Sequence, residues 1–329
     1  MVALQAGSPG ASLSSVVQAQ HIGGVVYLGG WKSGSADVTA TSRILQGMAT
    51  QEATGGIPLL LAADQEGGAV QQLQGPGFTR LPAAVEQAAQ GPEAVRRYAA
   101  TTGAELKAAG VLVDLAPVAD TVPADLGKGN GPIGQWGRQF GSDPATVAAS
   151  SDAFVAGLQS AGVAATLKHF PGIGRVQGNT DYTEQGIVDA TMTADDPYLQ
   201  PFRSGIEAGA QLVMLSSVFY PNIDPENPAM FSPAIIDVLL RQNLAFAGVA
   251  ITDDVNAVAV RSVPVGERAT RFVAAGGDIV LTGDTSSAPT LTGAIRDKAA
   301  ADPAFATKVD SSLGRILELK SELGLLRCG

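Results

Sequence analysis

Residues 248–254 read Gly-Val-Ala-Ile-Thr-Asp-Asp, an apolar run that ends in two consecutive carboxylates. The run is short and almost continuously apolar, which is typical of a parallel strand covered on both faces. Similar runs recur along the chain, and we predict strands over 2–4, 25–28, 58–64, 111–118, 165–170, 212–218, 249–253 and 278–282.

Helical patterns separate most of these runs. The predicted helices cover 92–109, begin at Asp143-Pro144 and at Ser232-Pro233, and cover 266–275, 289–300 and 307–323. This alternation predicts an α/β fold, a single (β/α)8 TIM-type barrel that spans residues 1–329 as one domain. An open, doubly wound sheet is the alternative, although no predicted strand is followed by G-x-G-x-x-G at the start of a helix.

Composition and net charge limit the classes of molecule that the protein is expected to bind. The chain has 45% hydrophobic and 16% charged residues, which is ordinary for a globular protein. Its net charge of −10 argues against nucleic acid and against an anionic membrane surface. No apolar run reaches the ~18 residues that a spanning helix needs. A small substrate with little or no charge fits this balance best.

The compartment and the oligomeric state stay open at this point. The single cysteine, Cys328, cannot form an internal disulfide, so cysteine content does not reveal the compartment. The first residues lack the charged region of a signal peptide. A cytoplasmic location is therefore open, and so is a cell-surface or secreted one if an export signal has been removed.

In a barrel of this type, functional residues lie at the carboxyl ends of the strands and in the loops that follow them. Four polar clusters fall at such positions, and they cover residues 63–68, 136–141, 168–172 and 252–254. Any one of them has an ordinary explanation, such as a capped turn or a surface cation. Four together are harder to explain in that way, because charged groups at the mouth of a barrel are costly to desolvate unless they are paired or used.

The residue types narrow the chemistry. The only histidines are His21 and His169, and they do not form a metal-binding pair, which argues against a metal hydrolase. Cys328 lies beyond the last predicted element and no G-x-S-x-G motif occurs, which argues against cysteine and serine nucleophiles. Several carboxylates with an Arg, a Lys and a His suit glycoside hydrolysis, which uses two carboxyl-type groups and needs no cofactor.

The ordered motifs resemble glycoside hydrolase family 3, and within it the single-domain β-N-acetylglucosaminidases of the NagZ type. The resemblance runs from about Gly23 to Leu325 and rests on residues 64–68, 137–144, 168–172 and 252–254. It implies that Asp253, the first Asp after its strand, is the catalytic nucleophile. It also implies four residues that hold the sugar, which are Asp64, Arg138, Lys168 and His169. The alternative for His169 is a structural role in the core, which is the usual role of a lone histidine.

The sequence departs from the family in the loop that follows residues 168–172. In the family this loop carries Asp-Ser-His, whose His is the acid/base. Here Asn179 occupies the position of that Asp, and Asp181 occupies the position of that His. We therefore predict that Asp181 is the acid/base, with Glu184 as the competing candidate. A sugar-binding Arg of the family is replaced by Gln72, and a His that often follows the sixth strand in the family is replaced by Ser217.

The loop itself is predicted to be mobile. Closure of residues 172–183 would bring Asp181 to the leaving-group oxygen, and the glycines at 172, 174 and 178 would give the loop freedom to move.

Loss of Arg138 or Lys168 is expected to lower kcat/KM more than stability, because charged groups at a barrel mouth form few core contacts.

The resemblance implies a retaining β-N-acetylglucosaminidase that acts on a small carbohydrate substrate, namely peptidoglycan fragments or related glycosides with terminal β-linked N-acetylglucosamine (GlcNAc). A β-glucosidase-like specificity stays open, because no motif reports an acetamido pocket. A sugar-binding protein with reduced catalysis also stays open. The missing acid/base His favours that alternative, whereas Asp253 and Asp64 argue against it.

Overall fold

The computed structural model describes residues 1–326. Seven parallel strands follow one another in a single sheet in chain order: β1 Val2–Gln5, β2 Gly24–Leu28, β3 Leu60–Ala63, β4 Val113–Asp114, β5 Ala164–Phe170, β6 Leu212–Leu215 and β7 Val249–Thr252. An eighth segment closes the sheet, since Ile279 bridges to Ile251 and Thr282 bridges to Val2, both in parallel. The predicted barrel is confirmed, and this closure excludes the open sheet.

The strands are shorter than predicted where the backbone cannot continue the ladder. The predicted strand over 111–118 is reduced to β4, because Pro117 has no N–H to donate. The carbonyl of Pro117 still accepts the backbone N–H of Lys168 at 3.2 Å, so this segment stays beside β5. The predicted strand over 278–282 contributes only isolated bridges.

Helices surround the sheet. The α-helices are α1 Ser14–Gln20, α2 Ser35–Gln46, α3 Gln51–Thr54, α4 Ala84–Ala88, α5 Pro92–Ala108, α6 Pro144–Ala161, α7 Gln200–Glu207, α8 Val265–Ala274, α9 Ala288–Ala301 and α10 Pro303–Glu322. A π-helix covers Ala234–Asn243, and 3-10 turns cover Gly10–Leu13, Gly127–Gly129, Gly134–Trp136, Pro197–Leu199, Ala229–Phe231, Val258–Val260 and Thr285–Ser287. The six predicted helices are confirmed, although the one from Ser232-Pro233 is a π-helix.

Side-chain alternation along the strands builds the two layers of the core. In β3, Leu60 and Ala62 belong to an inner cluster to which all seven strands contribute, whereas Leu61 and Ala63 belong to an outer cluster shared with the helices. In β7, Val249 and Ile251 are likewise inner residues and Ala250 is an outer one. Successive residues of a strand point to opposite faces, so the next inner positions fall at the barrel mouth.

Two short antiparallel hairpins extend the mouth. Gln65–Gly67 pairs with Val70–Gln71 after β3, and Phe219–Tyr220 pairs with Asp224–Pro228 after β6. Over residues 1–326, no helix has both the length and the apolar character that crossing a bilayer requires. The predicted free cysteine, Cys328, lies outside the described residues.

Candidate active site

Three predicted site residues continue the inner faces of their strands. Asp64 lies two residues beyond Ala62, Lys168 lies two residues beyond Thr166 in β5, and Asp253 lies two residues beyond Ile251. The two-residue period therefore directs all three side chains toward the barrel axis. This local geometry explains why residues far apart in sequence meet at one end of the barrel.

A cavity of about 410 Å³ opens at this end. Its floor is apolar and comes from inner-face residues, which include Val26, Leu115, Met214 and Leu281. Its polar lining contains all six residues selected from the sequence, which are Asp64, Arg138, Lys168, His169, Asp181 and Asp253. The structure thus brings the six together, while their roles stay predictions. Glu184 is exposed and lies outside this lining in the described chain.

A buried network of charges forms one wall of the cavity. Lys168 is 1% exposed, and its Nζ lies 2.5 Å from Asp64 Oδ1 and 2.6 Å from Glu66 Oε1. Arg138 forms a bidentate salt bridge with Glu66, in which Nη2 lies 2.7 Å from Oε1 and Nε lies 2.8 Å from Oε2. Burial opposes ionisation of Glu66, but the positive charges of Arg138 and Lys168 outweigh it and lower its pKa to about 2.

Glu66 was given no role from the sequence, although it lies in the 63–68 cluster. The available signal was its position two residues after Asp64, on the same face of the chain. The network also corrects the expectation for Arg138 and Lys168. Neither side chain is free of contacts at the barrel mouth, since both form salt bridges with the buried carboxylate of Glu66. Their loss is therefore expected to lower stability substantially as well as catalysis.

Glu66→Gln should lower the free energy of unfolding by about 3–5 kcal/mol, because it leaves the buried Lys168 and the largely buried Arg138 with too little compensating charge. Urea unfolding of the variant and the parent protein measures this difference. Asp297→Asn is the matched control, since its pair with Arg296 is about three-quarters exposed on both sides and should change stability by less than about 1 kcal/mol. Equal stability of the Glu66→Gln variant and the parent would show that the network is not structural.

A second buried carboxylate holds His169. Asp120 is fully buried, and its Oδ2 accepts the Nδ1–H of His169 at 2.8 Å and the backbone N–H of the same residue at 3.1 Å. Its Oδ1 accepts the backbone N–H of Ile173 at 2.7 Å. This arrangement keeps the proton on Nδ1 and leaves Nε2 for the cavity that His169 lines. Asp120 was given no role from the sequence, and it links His169 in the cavity wall to the start of the loop that carries Asp181.

The two consecutive aspartates after β7 have different environments. Asp254 Oδ1 accepts the backbone N–H groups of Asn256 at 2.9 Å and Gly283 at 3.0 Å, so this carboxylate holds the turn. Asp253 Oδ1 accepts only the backbone N–H of Asp254, at 2.8 Å. Within the described chain, Asp253 Oδ2 accepts no hydrogen bond, which leaves it available to a ligand in the cavity.

Asp181 sits on a turn that is fixed to the barrel. Its backbone N–H donates to Asn179 Oδ1 at 3.0 Å, and the carbonyl of Thr180 accepts the N–H of Ala259 at 3.0 Å. The residue as a whole is exposed, but its side chain lines the cavity. Desolvation of its carboxyl, together with the negative charge of Asp253, raises the pKa of Asp181 to about 6.

Two of the three glycines of this loop have a different role from the one predicted. A side chain at Gly174 would collide with the carbonyl of Thr121, and one at Gly178 would collide with the carbonyl of Gln185. These positions therefore require glycine for close packing, and freedom of movement is the wrong explanation for them. The carbonyl of Gly186 also accepts the N–H of Gly178 at 2.9 Å. Closure of the loop over a substrate stays a prediction.

The two other departures from the family lie in different places. Gln72 lines the cavity, and its Oε1 accepts the N–H of Gly30 at 2.9 Å. Ser217 is fully buried, and its Oγ has no hydrogen-bond partner in the described chain. Among residues 1–326, no group of three or more His, Cys, Asp and Glu side chains is placed to hold a metal ion.

Known proteins resemble this chain in both sequence and fold. Residues 2–319 match the family described as glycosyl hydrolase family 3 N terminal domain. A β-hexosaminidase of Xylella fastidiosa (strain M23) is 43% identical over 213 residues, which are 63% of this chain and 61% of the relative. A β-hexosaminidase of Xanthomonas oryzae pv. oryzae (strain MAFF 311018) is 40% identical over 250 residues, which are 73% of this chain and 72% of the relative.

The structural match is more extensive. The crystal structure of a β-N-acetylhexosaminidase from Beutenbergia cavernae DSM 12333 matches with a TM-score of 0.95 and 44% identity, over 98% of this chain and 96% of that one. The match to the Xylella relative, by contrast, spans less than two thirds of that protein's length. The resemblance drawn from the motifs is confirmed, and the chain belongs to glycosyl hydrolase family 3.

Proposed function

We propose that the protein is a retaining β-N-acetylglucosaminidase that releases terminal β-linked GlcNAc from peptidoglycan fragments or related glycosides. The main support is that Asp181 and Asp253 line one cavity whose wall carries the charged groups of Asp64, Arg138 and Lys168. The names of the relatives, β-hexosaminidase and β-N-acetylhexosaminidase, support the choice of sugar. All the site residues come from one barrel, which supports a single catalytic domain over residues 1–329.

In the first step, the free oxygen of Asp253 attacks the anomeric carbon and forms an ester with it. The bond from that carbon to the leaving-group oxygen breaks, and Asp181 gives its proton to this oxygen. A pKa of about 6 keeps a large fraction of Asp181 protonated in mildly acidic solution, as a general acid requires.

In the second step, the ionised Asp181 takes a proton from water, and the resulting hydroxide attacks the anomeric carbon. The ester bond to Asp253 breaks, the carboxylate is restored, and the sugar leaves with its original configuration. Arg138, Lys168 and His169 would orient the sugar through hydrogen bonds to its hydroxyl groups, so that each attack meets an aligned carbon.

A panel of aryl β-glycosides tests this proposal. Cleavage of the GlcNAc derivative, with the β-anomer as the first product detected by proton NMR, is the expected result. Cleavage of only the glucoside would replace the proposal with a β-glucosidase. Sugar binding without turnover of any member of the panel would replace it with a sugar-binding protein.

The acid role of Asp181 predicts the pH dependence of kcat/KM. Asp181 must be protonated in the first step, and its pKa is raised to about 6, so activity should persist up to that pH and then fall. Above it, kcat/KM for a disaccharide should drop about tenfold per pH unit, because only the protonated fraction reacts.

Two variants assign this limb of the pH profile. Asp181→Asn should remove the limb together with most of the activity, whereas Glu184→Gln should keep it. The opposite pattern, with the limb lost in Glu184→Gln and kept in Asp181→Asn, would transfer the acid role to Glu184.

A further inference from the structure

Tyr182 has an unusual position next to the predicted acid. Its side chain is 78% exposed, more than any other large apolar side chain within residues 1–326, and it lines the same cavity as Asp181 and Asp253. An aromatic ring of this size that stays in water forgoes a large favourable burial. Such a ring at the mouth of a binding cavity is suited to contact a ligand.

The exposure of Tyr182 does not come from a loose backbone. The N–H of Tyr182 donates to the carbonyl of Asn179 at 3.0 Å, and the preceding Thr180 is 4% exposed and bound to Ala259. The turn therefore presents the ring from a fixed base. A ring carried on a held turn binds a ligand with a smaller loss of backbone entropy than a ring on a mobile loop.

We propose that Tyr182 forms the aglycone subsite and packs against a pyranose ring, so that the natural leaving group is a sugar. This inference rests on the proposed function, because it takes Asp181 as the acid. The acid must come within about 2.6–3.2 Å of the glycosidic oxygen, so the aglycone begins beside Asp181. Tyr182 lines the same cavity as Asp181, so its ring is placed to contact the group attached to that oxygen.

The chemistry of the two surfaces is complementary. A pyranose carries axial C–H groups that form an apolar face, and its hydroxyl groups lie around the rim. The flat ring of Tyr182 can cover that face, while its hydroxyl group stays hydrated or binds a sugar hydroxyl. Covering part of such a ring is worth roughly tenfold in affinity.

Two substrates separate aglycone binding from the rest of catalysis. In GlcNAc-β-1,4-GlcNAc the leaving group is a sugar. In β-N-acetylglucosaminyl fluoride the leaving group is a fluoride ion, which cannot contact an aglycone subsite. In Tyr182→Ala, the ratio of kcat/KM for the disaccharide to kcat/KM for the fluoride should fall about tenfold, mainly through KM. Tyr182→Trp, which keeps an aromatic surface, should restore the ratio.

Trp136→Ala is the matched control. Trp136 is 49% exposed and lines a different surface depression with Glu86 and Lys128, so its loss should leave the ratio unchanged. An equal loss for both substrates in Tyr182→Ala, or no loss for either, would overturn the inference and leave the proposed function standing. Failure of the parent protein to cleave either substrate would instead overturn the proposed function and the inference with it.

Discussion

Asp253→Ala should lower kcat for an aryl β-N-acetylglucosaminide by roughly 10⁴-fold or more while the barrel stays folded. The variant loses the group that forms the covalent bond, and no neighbouring oxygen has the same position at the end of β7. Its side chain accepts a single backbone hydrogen bond, from Asp254, so little structure depends on it. Steady-state kinetics and a urea unfolding curve measure the two effects.

Asp254→Ala is the neighbouring control, and it should show the reverse balance. Its carboxylate accepts the backbone N–H groups of Asn256 and Gly283, and their loss should cost about 1–3 kcal/mol of stability. Its activity per folded molecule should fall far less than that of Asp253→Ala. If Asp254→Ala is inactive and Asp253→Ala retains turnover, the nucleophile has been assigned to the wrong aspartate.

Asp181→Asn should reduce activity by an amount that depends on the leaving group. Removal of a general acid typically costs about 10²–10⁴-fold, and least where the departing oxygen needs no proton. Cleavage of a sugar leaving group should therefore fall by about that amount, whereas departure of a dinitrophenolate should be nearly unaffected. The comparison of kcat/KM for the two substrates measures the difference.

Azide provides an independent test of the same residue. It needs no general base, so it should restore the second step in Asp181→Asn and give a β-glycosyl azide. Glu184→Gln is the control and should show neither the leaving-group dependence nor the azide product. An equal loss for all leaving groups without azide rescue would contradict the assignment and give Asp181 a binding role.

Much of the fold and the site follows from local pattern. The apolar runs and the helix starts at Pro92 and Pro144 depend on residues close in sequence, and the structure has these elements at or near the predicted positions. The two-residue alternation also explains why Asp64, Lys168 and Asp253 converge, since each continues the inner face of a strand.

What the sequence did not reveal depends on partners far along the chain. Glu66 matters because Arg138 reaches it from 72 residues away, and Asp120 matters because His169 reaches it from 49 residues away. The glycine at 174 was assigned freedom because no local pattern reports that Thr121 packs against it. The same reason explains the error about Lys168, whose burial follows from barrel closure rather than from its own neighbours in sequence.

The covalent intermediate is the central claim, and trapping it is the most direct test. A 2-acetamido-2-deoxy-5-fluoro glycoside with a good leaving group keeps the acetamido group of the substrate and slows both steps, so the ester accumulates and can be located by digestion and mass spectrometry. The predicted result is a single glycosylated peptide with the sugar on Asp253. Label on Asp254 or Asp64, or turnover to an inverted product without any adduct, would contradict the mechanism.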